Sequence, residues 1–246
     1  MTNLDFIKPS GKVGVEVHGI DLSKGVSGSD FKKIKEAFIK NGLIFFRDQN
    51  LSPEQHINFA QQWGEININR FFAKVDGFEK IAEVKKEPDQ KINIGEGWHT
   101  DHSYDQIPAL GSMLLARETP KEGGDTLFAC MYKAYDNLSD GLKQTLGTLN
   151  AVHSSRHVFG KNSDYSISSK GRIGNSELAT QDAIHPVVIT HPESKRKALY
   201  VNSAFTLRFE GWTTEESKPL LQYLYSNAAT ENNITRFKWA PGSIAL

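Results

Sequence analysis

Short apolar and β-branched runs recur along this chain, each cut off by Gly, Pro or Asn, and the pattern leaves few architectures open. They fall at residues 13–17, 43–46, 80–84, 113–116, 126–129, 186–190 and 198–201. Runs of four or five residues are too short to be buried helices and suit strands, so the spacing predicts a β-rich core. Three segments carry helical signals. Residues 29–40 repeat apolar side chains at Phe31, Ile34, Phe38 and Ile39, residues 52–63 open on Ser-Pro-Glu, and residues 213–226 open on Thr-Thr-Glu-Glu. The last two openings are helix-capping patterns. The expected class is therefore mainly β with flanking helices (α+β).

Residues 159–182 are rich in Ser, Gly, Asn and Lys and show no apolar period. They read as a long excursion between two core strands, either a lid or binding loop or an unstructured segment. No internal repeat, heptad or low-complexity tract divides the chain, so residues 1–246 read as a single domain.

Composition narrows the partners. Lys plus Arg and Asp plus Glu both total 29, so no net field would gather nucleic acid or an anionic membrane surface, and a small molecule is the expected partner. Homo-oligomerisation stays open. The lone Cys130 excludes an internal disulfide framework, residues 1–12 lack a secretory signal, and the most apolar stretches, 42–46 and 186–190, are far too short to span a membrane. A cytoplasmic protein is expected.

The chemistry is concentrated in Gly95-Glu96-Gly97-Trp98-His99-Thr100-Asp101-His102-Ser103-Tyr104. On an extended strand, residues two apart point to the same face, so His99 and Asp101 would offer one neutral nitrogen and one anionic oxygen to a single metal ion. Two histidines and one carboxylate on one face of an octahedral iron(II) leave the opposite face open for a 2-oxo acid and dioxygen. A His-x-Asp pair alone is a weak signal and is more often a surface turn than a ligand pair.

Its setting strengthens it. In order along the chain stand Gly14-Val15-Glu16-Val17-His18-Gly19-Ile20-Asp21-Leu22, Gly42-Leu43-Ile44-Phe45-Phe46-Arg47-Asp48-Gln49, Phe59-Ala60 through Trp63-Gly64-Glu65, and then Trp98-His99-Thr100-Asp101. Gly123-Gly124-Asp125-Thr126, His185-Pro186-Val187-Val188 with Thr190-His191-Pro192, Ala198-Leu199-Tyr200-Val201-Asn202 and Arg236-Phe237-Lys238-Trp239-Ala240-Pro241-Gly242-Ser243-Ile244-Ala245 follow. This ordered set resembles the taurine dioxygenase-like family of Fe(II)- and 2-oxoglutarate-dependent dioxygenases from Val13 to Leu246. The resemblance implies a double-stranded β-helix, or jelly roll, with iron between its sheets, held by His99 and Asp101. It implies 2-oxoglutarate as cosubstrate, with Thr126 hydrogen-bonding one of its carboxylates, and O2 as oxidant. Without the resemblance, Thr126 reads equally well as a strand-start residue after the Gly123-Gly124 turn.

In the family the final block runs on into Trp-Asp-Asn-Arg, a His that is the third iron ligand, and an Arg that pairs with 2-oxoglutarate. None of these falls within residues 1–246. A domain lacking its C-terminal portion, with a jelly roll incomplete there, is the resulting expectation. Among the remaining histidines, His18, His56, His153, His157, His185 and His191 read as structural, whereas His102 adjoins the metal carboxylate and a bend could aim it at substrate.

Family members that hydroxylate taurine carry a His and a Tyr shortly after the Gly-Glu matched by Gly64-Glu65, and here Asn69 and Phe72 stand at or near those places. Taurine itself is put in doubt. Asn69 suits a polar head and Phe72 an alkyl or aryl body, so a small anionic substrate is expected: a sulfonate, a sulfate ester or a carboxylate. Phe159 falls where the family has a pocket aromatic, with a core Phe at a loop entrance as the alternative. Trp98 and Tyr104 read as packing that orients the ligands.

Two rivals remain. A metallohydrolase would use His99-Thr100-Asp101-His102 as the tail of a two-metal motif, but position 97 is Gly where its leading His should be. A catalytically impaired or non-enzymatic binding protein on the same scaffold is the other, because fold alone does not guarantee chemistry.

Overall fold

A computed structural model describes residues 3–9, 11, 13–88, 90, 93–163, 173–180 and 182–246. The first half runs β1 (Asp5–Ile7), β2 (Val15–His18), α1 (Gly28–Asn41), β3 (Ile44–Phe46), α2 (Pro53–Gln61), β4 (Lys74–Val75), β5 (Phe78–Ala82), β6 (Leu114–Leu115) and β7 (Thr126–Ala129). Then come α3 (Met131–Asp136), α4 (Asp140–Leu146), β8 (Asn150–Ser154), α5 (Arg156–Phe159), β9 (Asp182–Pro186), β10 (Val188–Thr190), β11 (Lys197–Leu199), β12 (Thr206–Phe209), α6 (Thr214–Ala228), β13 (Ile234–Phe237) and β14 (Ile244–Ala245). Strands and helices are mixed, as expected.

Among the described residues the strands form a five-stranded sheet ordered β1-β2-β3-β14-β6, a three-stranded sheet ordered β12-β8-β9, and the ribbons β13-β7, β10-β11 and β4-β5, not a closed barrel. Only the β2–β3 pair is parallel in the large sheet. The run Ile44-Phe45-Phe46 is wholly buried because this sheet is covered on both faces. Ile44 and Phe46 pack with Ile34 of α1, Phe59 of α2 and Ile244, while Phe45 points the other way and stacks on Phe237 at 4.2 Å with the planes 6° apart.

The helix ends obey their caps. Ser27 accepts a hydrogen bond from Asp30 N at 3.1 Å to start α1, and Gly42 closes it in the left-handed region at φ 74°. Ser52 with Gln55 and Thr213 with Glu216 form capping boxes at α2 and α6. A second core, built from Leu138, Leu146, Phe209, Leu221 and Leu224, welds α3, α4 and α6 onto the three-stranded sheet.

Two helices and several strands lay beyond the sequence reading. The helices α3 and α4 are six and seven residues long, under two turns, so no apolar period can develop in them. Strand β8 reads Asn-Ala-Val-His-Ser, yet it is the centre of its sheet and is buried from Ala151 to Ser154. The run at 113–116 shortens to the two residues of β6, and that at 186–190 is split at Val187 between β9 and β10. Of the 159–182 excursion, residues 164–172 and 181 lie outside the described residues. Its described end returns to the core: Ile173 bridges Phe72, Gly174 N donates to Phe71 O at 2.7 Å, and Ile173 and Ala179 are buried.

Candidate metal centre

The segment carrying His99 and Asp101 is a series of turns, correcting the expected strand. Gly95, Gly97 and His102 all take left-handed φ values, 76°, 89° and 58°, which no strand accommodates. Asp105 N closes the turn onto His102 O at 2.9 Å. At Gly95 it is the backbone angle that favours glycine, since a Cβ there would only come into ordinary contact with His99 Cε1 at 3.4 Å. The turn brings the pair together nonetheless: His99 Nε2 and Asp101 Oδ1 lie 3.4 Å apart.

The far atoms of both groups are occupied. His99 Nδ1 donates to Gly97 O at 3.1 Å, so Nε2 is the nitrogen turned to Asp101: it donates its proton there when the ring is protonated and offers a lone pair to a metal when it is not. Ser112 Oγ donates to Asp101 Oδ2 at 2.6 Å. In the absence of metal the Asp101 hydrogen bond raises the imidazole's pKa against the opposing effect of burial. The surrounding protein pulls the Asp101 carboxyl up although half its side-chain surface stays open, but hydrogen bonds from His99 and Ser112 outweigh this and hold it below the usual range. A metal ion would replace the shared proton. One imidazole nitrogen and one carboxylate oxygen converging on one point fit iron(II), and among the described residues no third His, Cys, Asp or Glu joins them.

The turn is strapped to the rest of the molecule. Ser203 Oγ donates to Trp98 O at 2.9 Å, and Asn202 Nδ2 donates to Ser103 Oγ at 3.0 Å. Beside His99 opens a cavity of about 200 Å³, walled by Trp98, Leu127, Phe128, Asn202 and Tyr225 among others. That is room for a small molecule. Thr126 stands one residue ahead of this wall, and its Oγ accepts from Trp239 Nε1 at 2.9 Å. With that acceptor site filled, the hydroxyl proton remains free to be donated.

Phe72, Phe159 and His102 belong to one continuous aromatic cluster. Phe159 stacks on Phe71 at 4.4 Å and meets Phe72 at 6.2 Å and Tyr104 at 5.8 Å, and Tyr104 in turn lies 5.6 Å from His102. Asn69 Oδ1 accepts from Phe71 N and Phe72 N at 2.9 and 3.0 Å, so it shapes the backbone carrying Phe72 and leaves its NH2 group over. His102 Nδ1 is held by Asp105 at 2.7 Å. His185 Nε2 donates to Asp105 O at 2.9 Å, and His153 lies buried between His185 and Tyr200. Ser112, Asp105 and Arg70 were missed by the sequence reading: Ser112 is eleven residues from Asp101 and Arg70 thirty-five from Asp105, with no local pattern linking either pair.

A family model for "Taurine catabolism dioxygenase TauD, TfdA family" matches residues 6–246. An alpha-ketoglutarate-dependent sulfonate dioxygenase of Saccharomyces cerevisiae is 30% identical over 96% of this chain, which spans 58% of that protein. An alpha-ketoglutarate-dependent sulfate ester dioxygenase of Pseudomonas putida is 28% identical over 99% of the chain and 80% of its own length. The crystal structure of a taurine dioxygenase from Burkholderia xenovorans superposes with a TM-score of 0.81 at 29% identity, covering 98% of this chain and 78% of that one.

Proposed function

Because the chain belongs to the TauD, TfdA family of taurine catabolism dioxygenases, we propose that it is an Fe(II)- and 2-oxoglutarate-dependent oxygenase that hydroxylates a small anionic organic substrate. The convergence of His99 Nε2 and Asp101 Oδ1 carries this reading, since the far atom of each side chain is held by its own hydrogen bond and the two near atoms face each other across one point. Bound there, iron supplies dioxygen activation coupled to decarboxylation of 2-oxoglutarate to succinate and CO2. His99 and Asp101 hold the ion. Thr126 donates its hydroxyl proton to a carboxylate of 2-oxoglutarate, oriented for that task by the Trp239 indole. Asn69 and His102 face the polar end of the substrate, and Phe72 and Phe159 pack against its apolar body.

The sulfonate and sulfate ester named for the two relatives support an anionic substrate of that kind, and a carboxylate shares the same charge. We read residues 1–246 as one catalytic domain of the double-stranded β-helix type. No described helix is long and apolar enough to cross a membrane, and the lone, buried Cys130 suits a cytoplasmic setting.

The decisive experiment is succinate formation from 2-oxoglutarate with Fe(II) and ascorbate, first alone and then with a panel of alkyl sulfonates, sulfate esters and aryloxyalkanoates. Turnover that disappears in His99→Ala and Asp101→Ala is expected. A binding protein on the same scaffold would instead bind 2-oxoglutarate without forming succinate.

A further inference from the structure

Asp101 presents two chemically equivalent oxygens, yet the structure treats them differently. Oδ1 faces His99 Nε2 at 3.4 Å, whereas Oδ2 receives the Ser112 hydroxyl at 2.6 Å. A carboxylate can only accept, so Ser112 is the donor, and the separation is that of a charge-assisted O–H···O⁻ bond. We infer that Ser112 is a positioning residue of the metal centre: its hydroxyl pins Oδ2 away from the ion and makes Asp101 a one-oxygen ligand.

The argument rests on how the two residues are delivered. Asp101 sits on the turn whose closure depends on the left-handed His102. Ser112 lies two residues ahead of β6, whose Leu115 pairs with Ile244 of β14 in the five-stranded sheet. The bond therefore ties a turn to the approach to a strand, and it fixes the side-chain torsions of Asp101, which backbone hydrogen bonds do not reach. Ser203 and Asn202 hold the turn through Trp98 O and Ser103 Oγ, on either side of the ligand pair, but neither touches the carboxylate. Without the hydroxyl, the Asp101 side chain keeps its place in the chain and loses its orientation. The oxygen that faces His99 is then no longer held ready for an ion, which must be bound at the cost of ordering the carboxylate.

This inference deepens the iron reading and depends on it, so the test separates the two. Mn(II), a spectroscopic stand-in for iron(II), is titrated into the full 246-residue chain, and unbound Mn(II) is followed by electron paramagnetic resonance. The variants are Ser112→Ala, Ser112→Thr and His99→Ala. Outer-shell partners of metal ligands typically govern affinity by about 10- to 100-fold. Expected are wild-type binding lost in His99→Ala, a fall of about tenfold or more in Ser112→Ala, and recovery to within about threefold in Ser112→Thr, which keeps the hydroxyl. Ser112 is only half-buried, so thermal unfolding should not distinguish Ser112→Ala from wild type. Unchanged affinity in Ser112→Ala, or equal loss in Ser112→Thr, overturns the positioning role while leaving the metal site standing. Wild-type affinity no better than that of His99→Ala overturns the metal reading and the inference with it.

Discussion

Arg70 Nη2 meets Asp105 Oδ1 at 2.7 Å, and this ion pair forms the floor beneath the candidate metal turn. Asp105 is shared further: its Oδ2 takes His102 Nδ1 at 2.7 Å, and its backbone oxygen takes His185 Nε2 at 2.9 Å. The guanidinium also lies 4.8 Å over the Phe71 ring, which adds a cation–π contact. The carboxyl is held below its usual range because hydrogen bonds from Arg70 and His102 outweigh the cost of its burial.

Removing the carboxylate strands a mostly buried guanidinium and frees His102 from the partner that secures its left-handed backbone. Asp105→Ala is therefore expected to cost about 3 kcal/mol, in the range for breaking a buried pair from one side. The urea midpoint of unfolding measures it. A loss below about 1 kcal/mol would mean that the floor is solvated and carries no load.

Phe159 offers a sharper contest between packing and recognition. Its ring is 5% exposed, stacks on Phe71 at 4.4 Å and contacts Tyr104 and Phe205 edge-on or tilted. Such a ring is a core element whatever else it does. Phe159→Ala should cost about 3 kcal/mol or more through the cavity left behind, and Phe72→Ala, half-buried with one ring partner among the described residues, distinctly less. Chemical denaturation of the two variants, followed by substrate KM in whichever stays folded, separates the roles. Equal costs would contradict the burial difference.

How much of this was legible beforehand follows from what each feature needs. Helices α1, α2 and α6 were readable because capping residues act within three or four positions and the apolar stripe repeats within a turn. The ligand pair was readable too, since two residues apart is a local relationship. Its backbone was not: the His102 turn depends on Asp105 being held by Arg70, a contact that exists only once residues thirty-five apart have been folded together. The same holds for Ser112 on Asp101. Strand β8 escaped because a central strand buried on both faces can carry His153 and Ser154 only when other chain segments supply their partners, and no window of sequence contains those segments.

Thr126 and Trp239 are joined across the β7–β13 ribbon, with Thr126 opposite Phe237 in register and its Oγ accepting the indole N–H at 2.9 Å. Thr126→Val preserves shape and removes the acceptor. It should cost about 1 kcal/mol in stability, the typical net worth of one such bond. The same variant should weaken 2-oxoglutarate binding, measured by isothermal titration, whereas Thr126→Ser should restore both. Weakened cosubstrate binding in Thr126→Ser as well would show that the methyl group, not the hydroxyl, is what the site uses.

His153 makes the stability of the fold depend on pH in a definite direction. It is fully buried between His185 at 5.4 Å and Tyr200 at 5.6 Å, with Nδ1 3.3 Å from Thr206 Oγ1. Burial, and secondarily the neighbouring His185, depresses its pKa to about 4. An unfolded histidine titrates near 6.5, so between about 6.5 and 4 the unfolded chain holds a proton that the folded chain refuses. Stability is therefore complete above about pH 6.5 and falls as the pH is lowered toward 4, by up to about 3 kcal/mol from this one group. Urea midpoints taken at pH 7.5 and 4.5 should differ accordingly, and the difference should shrink in His153→Gln, which fills similar space without titrating. A pH dependence as steep in His153→Gln as in the wild type would assign the acid sensitivity to other groups and leave His153 a silent member of the core.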